Sequence, residues 1–248
     1  PSDLTIGLQD RRTEQRAELQ TQHERELQSI RDANARREEE ARLAGDAAVN
    51  HIKRDTAAKI ENIKNKIASI VNAMQAKKYS QAEEIANQLV GTHPTSEICW
   101  QYYAEILYLQ GKLNQAIDAL RVLLKINNNN ANAYYNLAIS FADLQRYSEA
   151  KSSCFHAIQI VPNHAQAYAK LAQIYKQEGN KIEAEIAQNK VIEIALTKIV
   201  AIAPNLPGGH ANLGVFYLKN GNLPSAIASY RKALALDPQF VDAHFNTG

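Results

Sequence analysis

Apolar residues recur at steps of three and four through most of the chain, and this period predicts one helix after another. Between Ala131 and His164, Tyr134, Leu137, Ala138 and Phe141 mark a first amphipathic helix, and Ala150, Ala157 and Ile158 a second. The polar segment 144–147 separates them, and Pro162 stops the second. Ala138, Ala150 and Ala157 are small where two helix axes about 8–10 Å apart must touch.

This register extends in both directions. Residues 97–130 repeat it with Trp100, Ala104 and Leu107, a turn at Gly111, then Ala116, Leu120 and Leu123. Asn128 stands where a closing proline is expected, and a left-handed asparagine there is the expected helix stop. Residues 63–96 form a divergent unit, convincing in its second half (Tyr79, Ala82, Ala86, Leu89, Pro94). Residues 165–206 start in register with Tyr168, Leu171, Ala172 and Tyr175, but the closing proline comes late, at Pro204. This unit therefore has eight extra residues, and its 191–203 segment carries apolar side chains on more than one side. Residues 207–240 complete another unit, and 241–248 begin a sixth that stops in its second turn, so either the chain continues past Gly248 or the last helix is supplied in some other way.

A 34-residue helix–turn–helix with these small and large positions resembles the tetratricopeptide repeat. The resemblance covers residues 63–248. It implies an all-α fold, a right-handed α-solenoid whose concave groove is lined by the first helix of each pair. Such units stack because no single helix pair can bury its own apolar stripe.

Residues 1–62 form a different module, expected to be a long charged helical arm. Nine of the twelve arginines lie here, yet the module has 11 basic and 13 acidic residues. Between Gln9 and Ala48 the large aliphatics are Leu19, Leu27, Ile30 and Leu43. The pairs Asp32–Arg36 and Glu38–Arg42 are spaced to support a solvated helix. Ile60, Ile63, Ile67, Ile70 and Met74 predict a two-heptad seam that fades upstream at Lys53 and Asp46. A coiled-coil or partner-docking arm and a solvated, frayed helix both fit this pattern.

Composition removes several function classes. The net charge of +2, with a balanced arm, gives no expectation of nucleic-acid binding. No apolar run is long enough for membrane insertion. Cys99 and Cys154 have no metal-ligand spacing, and two thiols without a disulfide framework point to a reducing, cytoplasmic location. The histidines form no metal motif, and His210 and His244 occupy the bulky packing position of Trp100, Tyr134 and Tyr168. Nucleophile-elbow and phosphate-loop motifs are absent. No catalytic residue, metal site or cofactor is expected.

The resemblance implies which residues face a ligand. In the second unit these are Gln101, Tyr102, Glu105 and Tyr108; in the third, Asn132, Tyr135, Asn136 and Asp143. In the fourth they are Gln166, Lys170, Gln173, Lys176 and Gln177; in the fifth, Asn212 and Lys219; in the stub, Phe245 and Asn246. Asn136, Asn212 and Asn246 share one register position, similar to the asparagine ladder of O-linked N-acetylglucosamine transferase repeats. An amide both donates and accepts, so it can hold peptide backbone without demanding a sequence. Gln101, Glu105 and Gln166 stand where the family's chaperone-type carboxylate clamp would need other residues, which argues against Hsp70 or Hsp90 tail binding.

The expected function is a non-enzymatic protein–protein scaffold that holds an extended peptide or a helix of a protein partner in its groove. Two alternatives stay open: the substrate-recruiting region of a larger enzyme such as a glycosyltransferase, and a structural protein that homo-oligomerises through the arm or the 191–203 extension.

Overall fold

A computed structural model describes the backbone of residues 2–240 and the side chains of residues 19–240. The partial sixth unit, and Asn246 with it, lies outside the described residues. Among the described residues there are ten α-helices and no strand. The chain divides into two units, residues 1–65 and 66–248.

From Ser2 the first unit is helix, as part of α1 (Ser2–Gln75). No proline interrupts it, and its side chains from Leu19 to Asn62 are all exposed. Arg42 does not take the expected partner Glu38. It pairs with Glu39 at 2.6 Å and Asp46 at 3.2 Å, so one guanidinium bridges two turns.

The second unit is an α-solenoid. It begins with the last turns of α1, where Ile70 and Ala73 are buried, and continues with α2 (Tyr79–Thr92). Four helix pairs follow: α3 (Glu97–Leu109) with α4 (Leu113–Ile126), α5 (Ala131–Asp143) with α6 (Tyr147–Ile160), α7 (Ala165–Gln177) with α8 (Lys181–Ile202), and α9 (Pro207–Lys219) with α10 (Leu223–Leu236). Each second helix also packs on the first helix of the next pair, which joins the apolar stripes into a stack.

In three of the four pairs a small residue of the first helix is matched with a larger one of the second. Ala104 and Leu120 lie in one core cluster, Ala138 and Cys154 in the next. In the last pair Gly214 lies against the fully buried ring of Tyr230.

The turns inside the pairs follow one rule. Lys77, Gly111, Gln145 and Gly179, each 34 residues after the last, all have positive φ, and Gly221 follows 42 residues later. The next residue donates its N–H five positions back, as Lys112 does to Leu107 and Arg146 to Phe141, both at 2.8–2.9 Å. This is the Schellman closure of a helix. The left-handed residue expected at Asn128 is not there. At that junction Asn127 Oδ1 accepts the Asn129 N–H, and Asn130 Oδ1 accepts the Ala133 N–H to cap α5. Side-chain capping at the junction takes the place of the backbone handedness used at the turns.

The eight extra residues all go into α8, which has 22 residues where α2, α4, α6 and α10 have 14. The start of α9 meets the far end of α8: a Cβ on Gly209 would touch Ile199 and Val200 at 3.7 Å. Helix α9 then returns along α8 as far as Asn189, whose side chain donates to Asn220 at 2.7 Å. The first turns of α8 stay uncovered, leaving Ile182 and Ile186 exposed.

Candidate functional site

The first helices of the second and third pairs, α3 and α5, enclose an open cavity of about 320 Å³. Glu105, Tyr108 and Leu109 form one wall, Asn136, Ile139 and Ser140 the other, over Leu120. The polar side chains reach it because they sit one turn apart, at register positions nine and twelve of α3 and six of α5, on the helix face away from the core.

Hydrogen bonds fix part of this site. The Tyr108 hydroxyl donates to Asp143 Oδ2 at 2.7 Å, tying α3 to α5. The carboxylate beside it pushes the Tyr108 pKa up to about 12. Ser140 donates to the Asn136 backbone carbonyl at 3.0 Å, and the Asn136 side-chain amide makes no hydrogen bond among the described residues. Glu105 is accessible at the mouth of the cavity, and desolvation by the surrounding apolar wall raises its pKa. Tyr135 sits outside this cavity, tilted against the His164 ring at 5.4 Å, and burial raises its pKa.

The other expected residues are more scattered. Lys170 and Gln173 pair with each other on α7 at 3.0 Å. Gln101, Asn132, Gln166, Lys176, Asn212 and Lys219 are exposed and make no side-chain hydrogen bond or ion pair among the described residues. Tyr102 is half-buried on α3 and does not line the cavity. The structure thus brings together Glu105, Tyr108 and Asn136. It does not bring Asn212 to them.

The sequence reading missed a larger groove of about 580 Å³ against the long helix α8. Tyr168 and Tyr175 of α7, Ile186 and Lys190 of α8, and Phe216 and Tyr217 of α9 line it. At its rim Glu193 accepts from Tyr217 and from Lys190. The available signal was the 42-residue unit, but where extra helix leaves a gap depends on where the next helix docks.

Two histidines act as packing and capping groups. His210 is buried, and its Nε2 lies 2.9 Å from the Pro204 carbonyl, as the Trp100 indole N–H donates to Pro94 at 2.8 Å. His164 Nδ1 accepts the Ala167 N–H at the start of α7. Among the described residues no group of three or more metal-ligating side chains converges. Cys99 and Cys154 are buried free thiols, and burial pushes the Cys154 pKa up to about 12. No helix of the described residues is long and apolar enough to cross a membrane.

Stacked helix pairs with this register define a helical-repeat scaffold. Family models described as tetratricopeptide repeats match residues 165–198 and 216–248, and the model of anaphase-promoting complex subunit 3 matches residues 75–157. The chain is a tetratricopeptide-repeat protein.

The human protein O-mannosyl-transferase TMTC3 is 25% identical over 187 residues, covering 75% of this chain and 20% of that protein. The probable UDP-N-acetylglucosamine–peptide N-acetylglucosaminyltransferase SPINDLY of Hordeum vulgare is 28% identical over 147 residues, covering 59% of this chain and 15% of that protein. The chain thus spans a fifth or less of the length of these relatives. Among solved structures, a thermophilic TPR protein of Thermus thermophilus matches with 19% identity and a TM-score of 0.46, over 74% of this chain and 96% of that one.

Proposed function

We propose that the repeats form a non-catalytic scaffold that holds a protein partner, as an extended peptide or a helix, along the groove-facing side of α3, α5 and α7. The observation that carries this reading is the cavity between α3 and α5. It combines apolar walls (Leu109, Ile139) with a carboxyl, a phenol and an uncommitted amide within one small volume. Binding sites for side chains have this composition: mostly apolar, with a few placed polar groups. Asn136 meets the peptide backbone, and Lys170 and Lys176 supply positive charge further along. Asn212 on α9 adds a further amide at the same register position. No metal or cofactor takes part, and the free thiols fit a cytoplasmic location.

The test is selection of peptides from a random display library on the whole chain, followed by titration of the enriched peptides. Asn136→Ala with Asn212→Ala is expected to weaken binding about tenfold or more, the loss of one good hydrogen bond to a buried partner. Its melting temperature stays unchanged, because neither side chain holds the fold together. Equal affinity for the double variant and the parent would reject the amide reading.

The glycosyltransferase names of the two relatives favour a second reading, in which these repeats recruit substrate for a larger enzyme. Immunoblotting of the native polypeptide decides it: a native protein ending near Gly248 removes this reading.

A further inference from the structure

The exposed face of the arm carries a period that the heptad reading does not capture. Among the described residues of α1, seven large apolar side chains are exposed: Leu19, Leu27, Ile30, Leu43, Val49, Ile52 and Ile60. All but Leu43 fall on two columns with an 11-residue repeat. One column is Leu19, Ile30, Ala41, Ile52 and Ile63. The other is Leu27, Glu38, Val49 and Ile60, apolar except at Glu38. The columns lie three residues apart and therefore side by side, about 65° around the helix. Eleven residues make three turns at about 3.67 residues per turn, so the columns run nearly parallel to the helix axis. A heptad extrapolated from Ile60 lands on Lys53 and Asp46 because the true spacing is eleven.

From this pattern we propose that the arm pairs with the arm of a second copy of this chain, through the Leu19–Ile63 stripe, in a shallow right-handed coiled coil.

Three observations select that occupant. The first is the width of the stripe. Two columns make a narrow seam suited to one helix, whereas a helix lying on a membrane needs a broad apolar face and a cationic polar face. The arm, with 11 basic and 13 acidic residues, has no such cationic excess.

The second is charge. The basic residues that edge the stripe, Arg31, Arg42, Lys53 and Lys64, follow the same 11-residue period. Arg42 is held between Glu39 and Asp46 on its own helix, and nearby Lys59 is held by Asp55 at 2.7 Å. This pairing neutralises the edge at Arg42, so two identical edges can approach there.

The third is extent. From Leu19 to Ile63 the stripe runs about 66 Å at 1.5 Å per residue. A contact strip about 11 Å wide then buries about 1,400 Å² over both helices, within the range of stable specific interfaces. A second copy presents the same columns over the same length, which a two-fold interface requires.

The test uses the 248-residue chain, with light scattering after size exclusion and circular dichroism of the same samples. The parent and Leu43→Glu, which places the same charge off the stripe, are expected to run at twice the 27.6 kDa chain mass. Ile30→Glu with Ile52→Glu is expected to run as a monomer of unchanged helicity. A monomeric parent at its highest soluble concentration overturns the proposal, including one that instead sediments with vesicles containing phosphatidylserine. A dimer that survives Ile30→Glu with Ile52→Glu, or one that Leu43→Glu dissociates equally, overturns it as well.

Discussion

Gly214→Ala is expected to destabilise the last helix pair, although glycine to alanine inside a helix ordinarily stabilises. The normal gain is about 0.8–1 kcal/mol, because alanine loses less backbone freedom on folding. At position 214 the new methyl carbon would lie 2.7, 2.8 and 2.9 Å from three carbons of the Tyr230 ring. Carbon atoms pack at about 3.5–4 Å, so the ring must move by close to 1 Å. Tyr230 is fully buried against α9, so its ring cannot swing out into solvent to relieve the contact. Overpacking of this kind costs about 1–3 kcal/mol. The clash exceeds the helix gain, and a net loss of about 1–2 kcal/mol follows.

Urea unfolding followed by circular dichroism measures this, with hydrogen exchange to place the loss in α9 and α10, since a repeat array need not unfold in one step. Tyr230→Leu in the Gly214→Ala background recreates the Ala104–Leu120 pairing of the second unit. That double variant is expected to be more stable than the sum of the single changes by about 1 kcal/mol or more. A Gly214→Ala chain as stable as the parent would refute the size-compensation argument. Gly91, with nothing within 4 Å of its built Cβ, is the contrast: alanine there is neutral or stabilising.

Two further outcomes follow from the turns and the site. Gln145 holds φ of 58°, at a position where Gly111 and Gly179 stand in neighbouring units. Gln145→Gly is expected to raise the urea midpoint, worth about 0.5–1 kcal/mol, because relief of the left-handed strain outweighs the added freedom of the unfolded chain. Tyr108 has its pKa pushed up to about 12 by Asp143, against about 10 when unfolded. The folded state holds that proton more tightly, so this contribution is complete below about pH 10 and is lost as pH rises toward about 12. Tyr108→Phe should flatten the fall in stability across that window relative to the parent. An identical fall in both would remove the role given to the Tyr108–Asp143 bond.

The sequence alone determined the repeat. Apolar period, alternating small and large residues and the 34-residue register are local or nearest-neighbour properties, and they fixed which stretches are helices. They located the eight-residue excess in the fourth unit as well. The resemblance to the tetratricopeptide repeat, laid on that register, named Glu105, Tyr108 and Asn136.

Only the tertiary structure decided which of those faces meet. Glu105, Tyr108 and Asn136 share a cavity because α3 lies beside α5; Asn212 holds Asn136's register position yet sits beyond the long α8. Likewise the left-handed turns at Lys77 and Gln145 carry no glycine to announce them. They are imposed by packing of the two helices they join, which overrides a local cost of about 1–2 kcal/mol. The 580 Å³ groove follows from where α9 docks on α8, and docking is set by contacts between side chains far apart in the chain, which no local pattern records.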